Sequence, residues 1–222
     1  MRFGALLFDF DGVLIESEYA GNRQIAEWLS ANGHPTTPQE AMDLFMGLSG
    51  PDFHAALEKR IGGPLLSSFA EARRAEDERA VREGVGEVAG AVDFVRALPA
   101  DLPRAIVSSS TTAWIRAHLG HLGLDDAFPH VFSGKEHVTR GKPAPDLYLL
   151  AAERSGVPIG ECAVIEDSPV GATGAIASGA YVIGLCAGTH CGAGHGDRLR
   201  ALGVDAVAAS WSDVTRLLDP PL

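Results

Sequence analysis

The sequence has 222 residues, of which 46% are hydrophobic and 21% are charged. This composition is typical of a globular protein and excludes wholesale disorder or a fibrous architecture. The formal net charge of -11 argues against an extended nucleic-acid interface, which requires clustered Lys and Arg. A chain of this length accommodates either one large domain or one domain that carries a smaller insertion.

Targeting signals are also missing from the sequence pattern. No apolar run approaches the roughly 20 residues that cross a bilayer, and no signal-peptide pattern follows Met1. The three cysteines are an odd number that does not fit a secreted disulfide framework. We therefore expect a cytoplasmic protein, monomeric or weakly dimeric, that binds neither membranes nor nucleic acids.

Short apolar segments bounded by Gly, Pro, Ser or Asp recur along the chain and predict β-strands. Stretches with helical spacing lie between them, so strands and helices alternate as in an α/β fold with a doubly wound parallel sheet. The nearly continuous apolar character of the strands fits a sheet that helices cover on both faces. The predicted strands are 4–10, 104–107, 130–132, 162–165 and 181–185, and the predicted helices are 87–98, 112–122, 146–156 and 169–178.

One long segment, residues 17–84, interrupts the alternation because it contains no convincing strand. It shows helical stretches separated by Gly- and Pro-containing breaks, and it is too long for an ordinary loop. We therefore predict an α/β core domain formed by residues 1–16 and 85–222, with an inserted helical cap domain formed by residues 17–84.

Three large apolar residues of the predicted cap, Trp28, Phe45 and Phe53, belong either to its core or to a surface that faces the substrate. Their helical spacing favours the core. Residues 46–52 are expected to form a loop between cap helices. Such a loop can lean over a neighbouring active site, so it is the segment of the cap that we expect to influence substrate choice.

Two carboxylates, Asp9 and Asp11, stand at the end of the first predicted strand, followed by Gly12. Residues two apart in a strand point to the same side, and glycine lets the chain turn sharply. Two close carboxylates favour a bound cation, and a hard oxygen-rich site suits magnesium. The alternative is an Asp-Gly turn in which the side chains only cap the loop.

A second acidic pair, Glu166 and Asp167, follows the strand at 162–165 and precedes Ser168 and Pro169, which indicate a helix start. Taken alone, such a carboxylate is most simply a helix cap. Together with the first pair it makes four acids at the carboxyl ends of strands, where open parallel sheets bind ligands. This convergence favours metal binding over capping.

Groups suited to phosphate lie on the same predicted edge. Ser108 and Ser109 close one strand and precede a helix, where hydroxyls and free backbone amides bind phosphate. Lys142 precedes another helix and supplies a fixed positive charge. A plain helix cap and a loop lysine are the alternatives for these residues, and only their position beside the acids favours a functional role.

A further group of candidate ligands, Cys186, His190, Cys191 and His195, occupies a Gly-rich stretch after the strand at 181–185. Soft ligands this close together make a zinc site conceivable. Their spacing matches no standard zinc pattern, however. A Gly-rich loop is the interpretation that we favour.

Because these motifs occur together and in this order, the chain resembles the haloacid dehalogenase superfamily. Within that superfamily it resembles the group related to β-phosphoglucomutase and phosphoglycolate phosphatase. The resemblance rests on DFDGVL at 9–14, Ser108 after AIV, Lys142 in GKPAPDLY and EDSPVGA at 166–172. It spans nearly the whole chain. It implies a Rossmann-like α/β core with a helical cap and a magnesium-dependent phosphatase acting on a small phosphorylated metabolite.

The resemblance also implies a role for each motif residue. Asp9 would be the nucleophile that forms an aspartyl-phosphate, and Asp11 the general acid and then the base. Magnesium would be held by Asp9, Asp167 and the main-chain carbonyl of Asp11, with Glu166 binding it directly or through water. Ser108 and the backbone amide of Ser109 would bind the transferring phosphoryl group, and Lys142 would balance its charge.

Two other functions remain open at the level of the sequence. A phosphomutase shares this core, but Gly21, Met46 and Gly50 stand where the β-phosphoglucomutase pattern places His, Lys and Arg, so hydrolysis is favoured. A phosphometabolite-binding protein without catalysis is disfavoured by the complete set of acids and lysine. Members that cleave carbon-halogen bonds generally lack the second aspartate, whereas Asp11 is present here.

Overall fold

The computed structural model of the chain describes residues 3–46, 48 and 50–219. The chain divides into two compact units. One comprises the residues up to Glu16 and those from Gly86 onward, and the other is Ser17–Val85. None of the helices in these described ranges is both long and apolar enough to cross a bilayer.

The first unit is built on a six-stranded sheet whose strand order is β3-β2-β1-β4-β5-β6, with every neighbouring pair parallel. Strand β1 lies in the middle, where Leu7 is opposite Ala105 on one side and Val164 on the other. The central strands are buried along their whole length, as helices covering both faces require. The strands are β1 Ala5–Phe8, β2 Arg104–Ser108, β3 His130–Ser133, β4 Cys162–Glu166, β5 Tyr181–Leu185 and β6 Ala206–Ala208.

Helices separate consecutive strands, as in a doubly wound fold, so the predicted fold class is confirmed. Their bounds are α1 Ser17–Ala31, α2 Pro38–Phe45, α3 Gly50–Ile61, α4 Ser67–Glu83, α5 Ala91–Ala97, α6 Thr112–Leu122, α7 Asp146–Ser155, α8 Pro169–Ser178, α9 His195–Leu202 and α10 Trp211–Leu218. Short 3-10 turns occupy Asp125–Ala127 and Ile159–Glu161.

Local capping chemistry explains where several of these helices begin. At the start of α8 the Ser168 hydroxyl accepts a hydrogen bond from the backbone N–H of Gly171 at 3.0 Å, and Pro169 fills the first helical position. At the start of α6 the Thr111 hydroxyl accepts from the N–H of Trp114 at 3.3 Å. The helix-start signal predicted at Ser168 and Pro169 is thus confirmed.

Several predicted boundaries were wrong. The first strand ends at Phe8 rather than at residue 10, so Asp9 and Asp11 lie in the segment that follows it. The helix predicted at 87–98 is shortened to Ala91–Ala97, because Gly90 adopts φ +88° and serves as its N-cap. Sequence reasoning missed β6, α9 and α10, which together complete the sheet edge after β5.

The second unit, Ser17–Val85, consists of the four helices α1 to α4 in the part that the structure describes. Trp28 and Phe69 pack edge to face with ring centroids 4.9 Å apart, and Phe45 packs similarly on Phe53 at 5.9 Å. Trp28 and Phe45 are buried and Phe53 packs against their cluster, so their predicted place in a core is confirmed. The loop predicted at 46–52 is shorter than expected because α3 already begins at Gly50, and Gly47 and Ser49 lie outside the described residues.

Candidate active site

The predicted acidic residues converge on one edge of the sheet. Asp9 and Asp11 follow β1, Ser108 ends β2, and Glu166 ends β4 with Asp167 next to it. Because β2, β1 and β4 are adjacent and parallel, their carboxyl ends place these side chains side by side. The backbone N–H of Asp9 donates to the carbonyl of Ile165 at 2.9 Å, which ties the first motif to the strand that carries the second acidic pair.

Lys142 links the two acidic pairs. Its Nζ donates to Oδ1 of Asp9 at 2.7 Å and also contacts Oε1 of Glu166. All three side chains are almost completely buried. A buried ammonium between two carboxylates is stabilised by both, whereas removing one partner would leave an uncompensated buried charge.

Burial and neighbouring charges shift the pKa values of Asp9 and Lys142. Burial raises the pKa of Asp9 well above its ordinary value, the negative charges of Glu166 and Asp167 raise it further, and Lys142 acts in the opposite direction. For Lys142, burial opposes the charged form, but the neighbouring carboxylates of Asp9 and Glu166 raise its pKa well above the ordinary value. By formal charge, the three carboxylates of Asp9, Glu166 and Asp167 exceed the single positive charge of Lys142.

Glu166 is held from several directions. The Tyr148 hydroxyl lies 2.7 Å from Oε1 of Glu166 and 3.0 Å from the carbonyl of Gly171. Oε2 accepts from the backbone N–H of Ser168 at 3.2 Å and from its hydroxyl at 3.1 Å. Burial, and then the charge of Glu166, raise the pKa of Tyr148 well above its ordinary value, so the phenol remains protonated and available as a donor.

Asp167 is contacted by two histidines from the segment after β5. Nε2 of His190 lies 2.7 Å from Oδ2 of Asp167, and both side chains are almost fully buried. Nε2 of His195 lies 2.6 Å from the main-chain carbonyl oxygen of the same residue. The side chain and the backbone of Asp167 are thus each fixed by one imidazole.

The residues present fit a hard divalent cation. Carboxylate oxygens of Asp9, Glu166 and Asp167 all lie within 4.8 Å of one another, and all three residues are buried. Oxygen ligands alone and an excess of negative charge suit magnesium better than a transition metal. Its coordination by these residues is taken up below as a proposal.

Asp11 lies on the β2 side of the site and contacts the segment that begins α6. Its Oδ2 accepts from the Ser110 hydroxyl at 2.6 Å and from the Ser108 hydroxyl at 3.3 Å. Its Oδ1 accepts from Nε1 of Trp114 at 3.1 Å. Ser109 is exposed directly after β2, and its predicted part in phosphate binding stays a prediction.

A second group of ligand atoms comes from His190, Cys191 and His195, which lie within 4.8 Å of one another. Nδ1 of His195 is 3.2 Å from Nη2 of Arg198, and a guanidinium only donates, so this nitrogen is the acceptor. The proton of the neutral ring then lies on Nε2 and is donated to Asp167. Burial lowers the pKa of His195, and the positive charge of Arg198 lowers it further. Because both nitrogens are engaged, the loop interpretation remains favoured over a zinc site.

The sequence analysis did not predict five residues that contact the predicted site residues and orient them. Two of them lie in motifs that were selected because of other residues. Tyr148 is part of GKPAPDLY, which was selected for Lys142, and Ser110 follows Ser108 and Ser109. His190 and His195 were considered only as zinc ligands. Nothing in the local pattern around Trp114 indicates a contact with Asp11, because the two residues lie 103 positions apart.

The family model of haloacid dehalogenase-like hydrolases matches residues 3–179. Hexitol phosphatase A of Escherichia coli is 34% identical over 99% of this chain and 97% of that protein. The fructose-1-phosphate phosphatase YqaB of the same organism is 31% identical over 80% of this chain and 94% of that protein. The chain therefore belongs to the haloacid dehalogenase-like hydrolases, as the motifs predicted.

A solved structure supports this assignment at the level of the fold. The crystal structure of a hydrolase of this family from Deinococcus radiodurans, determined with bound phosphate and sodium, superposes with a TM-score of 0.86 at 32% identity. The match covers 98% of this chain and 95% of that one. The predicted enzyme class, a phosphoric monoester hydrolase of this superfamily, is confirmed by these relatives.

Proposed function

We propose that the protein is a magnesium-dependent phosphatase that hydrolyses a small phosphorylated metabolite through an aspartyl-phosphate on Asp9. The observation that carries the proposal is the buried cluster at the sheet edge. There the carboxylates of Asp9, Glu166 and Asp167 lie within 4.8 Å of one another, and Lys142 bridges Asp9 and Glu166.

The proposed reaction has two phosphoryl transfers. A carboxylate oxygen of Asp9 attacks phosphorus, and the bond to the leaving oxygen breaks as that oxygen takes a proton from Asp11. In the second transfer Asp11 removes a proton from water, which attacks the phosphorus and releases inorganic phosphate with regeneration of Asp9. The carboxylate of Asp11 lies within hydrogen-bond distance of Ser108, the residue expected to bind the phosphoryl group.

Charge balance assigns the remaining residues. Lys142 keeps Asp9 oriented and offsets the charge of the phosphoryl oxygens, with Ser108 and Ser109 as hydrogen-bond donors. Asp9, Asp167 and the main-chain carbonyl of Asp11 would hold magnesium, with Glu166 direct or through water. When bound, the cation would neutralise charge that develops on the transferring group.

The names of similar proteins support a proposal for the class of substrate. Two similar proteins bear the names of a hexitol phosphatase and a fructose-1-phosphate phosphatase, so we propose a sugar phosphate or a phosphorylated organic acid as substrate. We further assign Ser17–Val85 the role of a substrate-selecting cap. Closure of such a unit excludes water before attack.

The test uses a panel of sugar phosphates and phosphorylated sugar acids with magnesium, with free phosphate as the readout. Wild-type protein is expected to release phosphate and to lose this activity on chelation. Asp9→Asn should lower turnover by about four orders of magnitude or more, as expected for loss of a nucleophile. Its circular dichroism should be unchanged, because the amide keeps the shape of the side chain.

Chemical trapping of the aspartyl-phosphate tests the proposed mechanism independently of the activity assay. Wild-type protein quenched during turnover should carry an acyl phosphate that hydroxylamine cleaves, and Asp9→Asn should carry none. Near-wild-type phosphate release by folded Asp9→Asn would exclude Asp9 as the nucleophile. An unchanged rate after complete chelation would exclude the metal, and an isomerised sugar phosphate in place of free phosphate would indicate a mutase.

A further inference from the structure

Both oxygens of Asp11 are engaged by side chains of one short segment at the start of α6. The hydroxyls of Ser108 and Ser110 face Oδ2, at 3.3 Å and 2.6 Å. The indole N–H of Trp114 donates to Oδ1 at 3.1 Å. The two oxygens of this carboxylate therefore have partners of different chemical kinds.

The indole of Trp114 is itself held in place. Its ring lies against the imidazole of His118 with centroids 4.1 Å apart, and His118 is buried. Nδ1 of His118 lies 2.8 Å from the carbonyl of Trp114, and Thr111 caps the Trp114 backbone N–H. The backbone contacts hold the first turn of α6, and the stacking against His118 together with the hydrogen bond to Oδ1 orients the indole toward Asp11.

The difference between the partners decides where Asp11 carries a proton. An indole N–H only donates, whereas a serine hydroxyl donates or accepts after rotation about its C–O bond. A proton on Oδ1 would make that oxygen a poorer acceptor for the indole N–H, whereas a proton on Oδ2 meets hydroxyls that can accept it. We propose that Trp114 is a positioning residue for acid catalysis, which keeps Oδ1 as an acceptor and makes Oδ2 the oxygen that carries the proton. This inference rests on the proposed role of Asp11.

The test compares two esters with different leaving groups. One is the sugar phosphate that wild type hydrolyses fastest, whose alkoxide leaving group needs a proton, and the other is p-nitrophenyl phosphate, whose phenolate does not. The parameter is kcat/KM, which reports the steps up to departure of the leaving group. Trp114→Phe should lower kcat/KM by about 10- to 100-fold for the sugar phosphate and by less than about threefold for the aryl ester. The larger decrease corresponds to part of the rate acceleration that a general acid usually provides.

Trp211→Phe is the matched control. Trp211 is buried in the same unit, and its indole N–H has no hydrogen-bond partner among the described residues. The substitution therefore changes packing without removing a hydrogen bond. It should change kcat/KM for the two esters by the same factor. That factor is the effect expected when a substitution alters packing but not acid catalysis.

Two further variants keep every outcome informative. Asp11→Asn should show the same leaving-group discrimination in a stronger form, and if it does not, the proposed acid role of Asp11 is wrong. If Asp11→Asn discriminates while Trp114→Phe slows both esters equally, the positioning role of Trp114 is refuted. Should Trp114→Phe fail to fold, Ser110→Ala tests the Oδ2 side, where equal slowing of both esters would contradict the assignment of the proton to Oδ2.

Discussion

Nε2 of His190 lies 2.7 Å from Oδ2 of Asp167, although 23 positions of chain that include a strand and a helix separate the two residues. Each of the two side chains is almost fully buried, and a second imidazole, that of His195, reaches the Asp167 carbonyl at 2.6 Å. Partners that orient a metal ligand are as much a part of a metal site as the ligands themselves. The segment after β5 therefore shapes the proposed magnesium site without supplying a ligand to it.

The first prediction concerns this contact. His190→Ala removes a hydrogen-bond partner of Oδ2 that orients the Asp167 carboxylate, so affinity for Mg²⁺ should fall by about 10- to 100-fold. The measurement is calorimetric titration of the purified protein with Mg²⁺, supported by the Mg²⁺ dependence of turnover. The control is His130→Ala, which changes an exposed residue at the start of β3 and should leave Mg²⁺ affinity unchanged. Equal affinities in the two variants would rule out the orienting role of His190.

The second prediction concerns the close approach of α8 to Glu166. A Cβ at Gly171 would overlap the Glu166 carboxylate, so Gly171→Ala must displace the partner of Lys142 and Tyr148. We expect the free energy of unfolding to fall by about 1 to 3 kcal/mol, as for overpacking elsewhere, together with a loss of kcat. Urea unfolding and steady-state kinetics measure the two effects.

Gly160→Ala is the control for this substitution, because a Cβ there meets no heavy atom within 4 Å. It should retain both stability and activity. If Gly171→Ala behaves like Gly160→Ala, the packing of α8 against Glu166 does not constrain the site.

The third prediction is a pH dependence at Cys186. A hydrogen bond from Cys191, with added help from Arg200 and His190, lowers the pKa of Cys186 to about 7, whereas burial raises that of Cys162 to about 11. The thiolate is the nucleophile, so alkylation of Cys186 by iodoacetamide should accelerate as pH rises through about 7 and then level off. Cys162 should remain unlabelled in the folded protein.

Mass spectrometry of labelled peptides over pH 5 to 9 makes this measurement. Cys186→Ser should abolish the fast labelling. A rate that keeps rising up to pH 9 would show that the Cys186 thiol has an ordinary pKa.

The fourth prediction concerns substrate choice. If Ser17–Val85 is a substrate-selecting cap, Met46→Ala or Asp52→Ala should alter the ratio of kcat/KM for two sugar phosphates by a factor equivalent to about 1 to 3 kcal/mol per lost contact. The Mg²⁺ requirement should not change. Lys59→Ala, at an exposed position in the last turn of α3, is the control. Equal slowing of every substrate would mean that specificity resides elsewhere.

The sequence by itself determined the fold class and the members of the acidic cluster. The apolar strands and the helices between them impose a parallel sheet, and parallel strands bring their carboxyl ends to one edge. Asp9, Glu166 and Asp167 could therefore be predicted to meet from strand order alone. The carboxylate of Asp11, which was expected in the same cluster, contacts Ser110 and Trp114 instead. The last elements, β6, α9 and α10, could not, because β6 has only three residues and too weak a periodic signal.

Only the tertiary structure decided how each acid is held. Lys142 meets Asp9 across 133 positions, and Trp114 meets Asp11 across 103. Local patterns record which face of an element is apolar, but a hydrogen bond between distant residues depends on helix packing and on the rotamers that this packing permits. The types of groups at this site follow from residue chemistry. The pairing of Trp114 with Oδ1 and of the serine hydroxyls with Oδ2 depends instead on the tertiary packing that brings the start of α6 to the segment after β1.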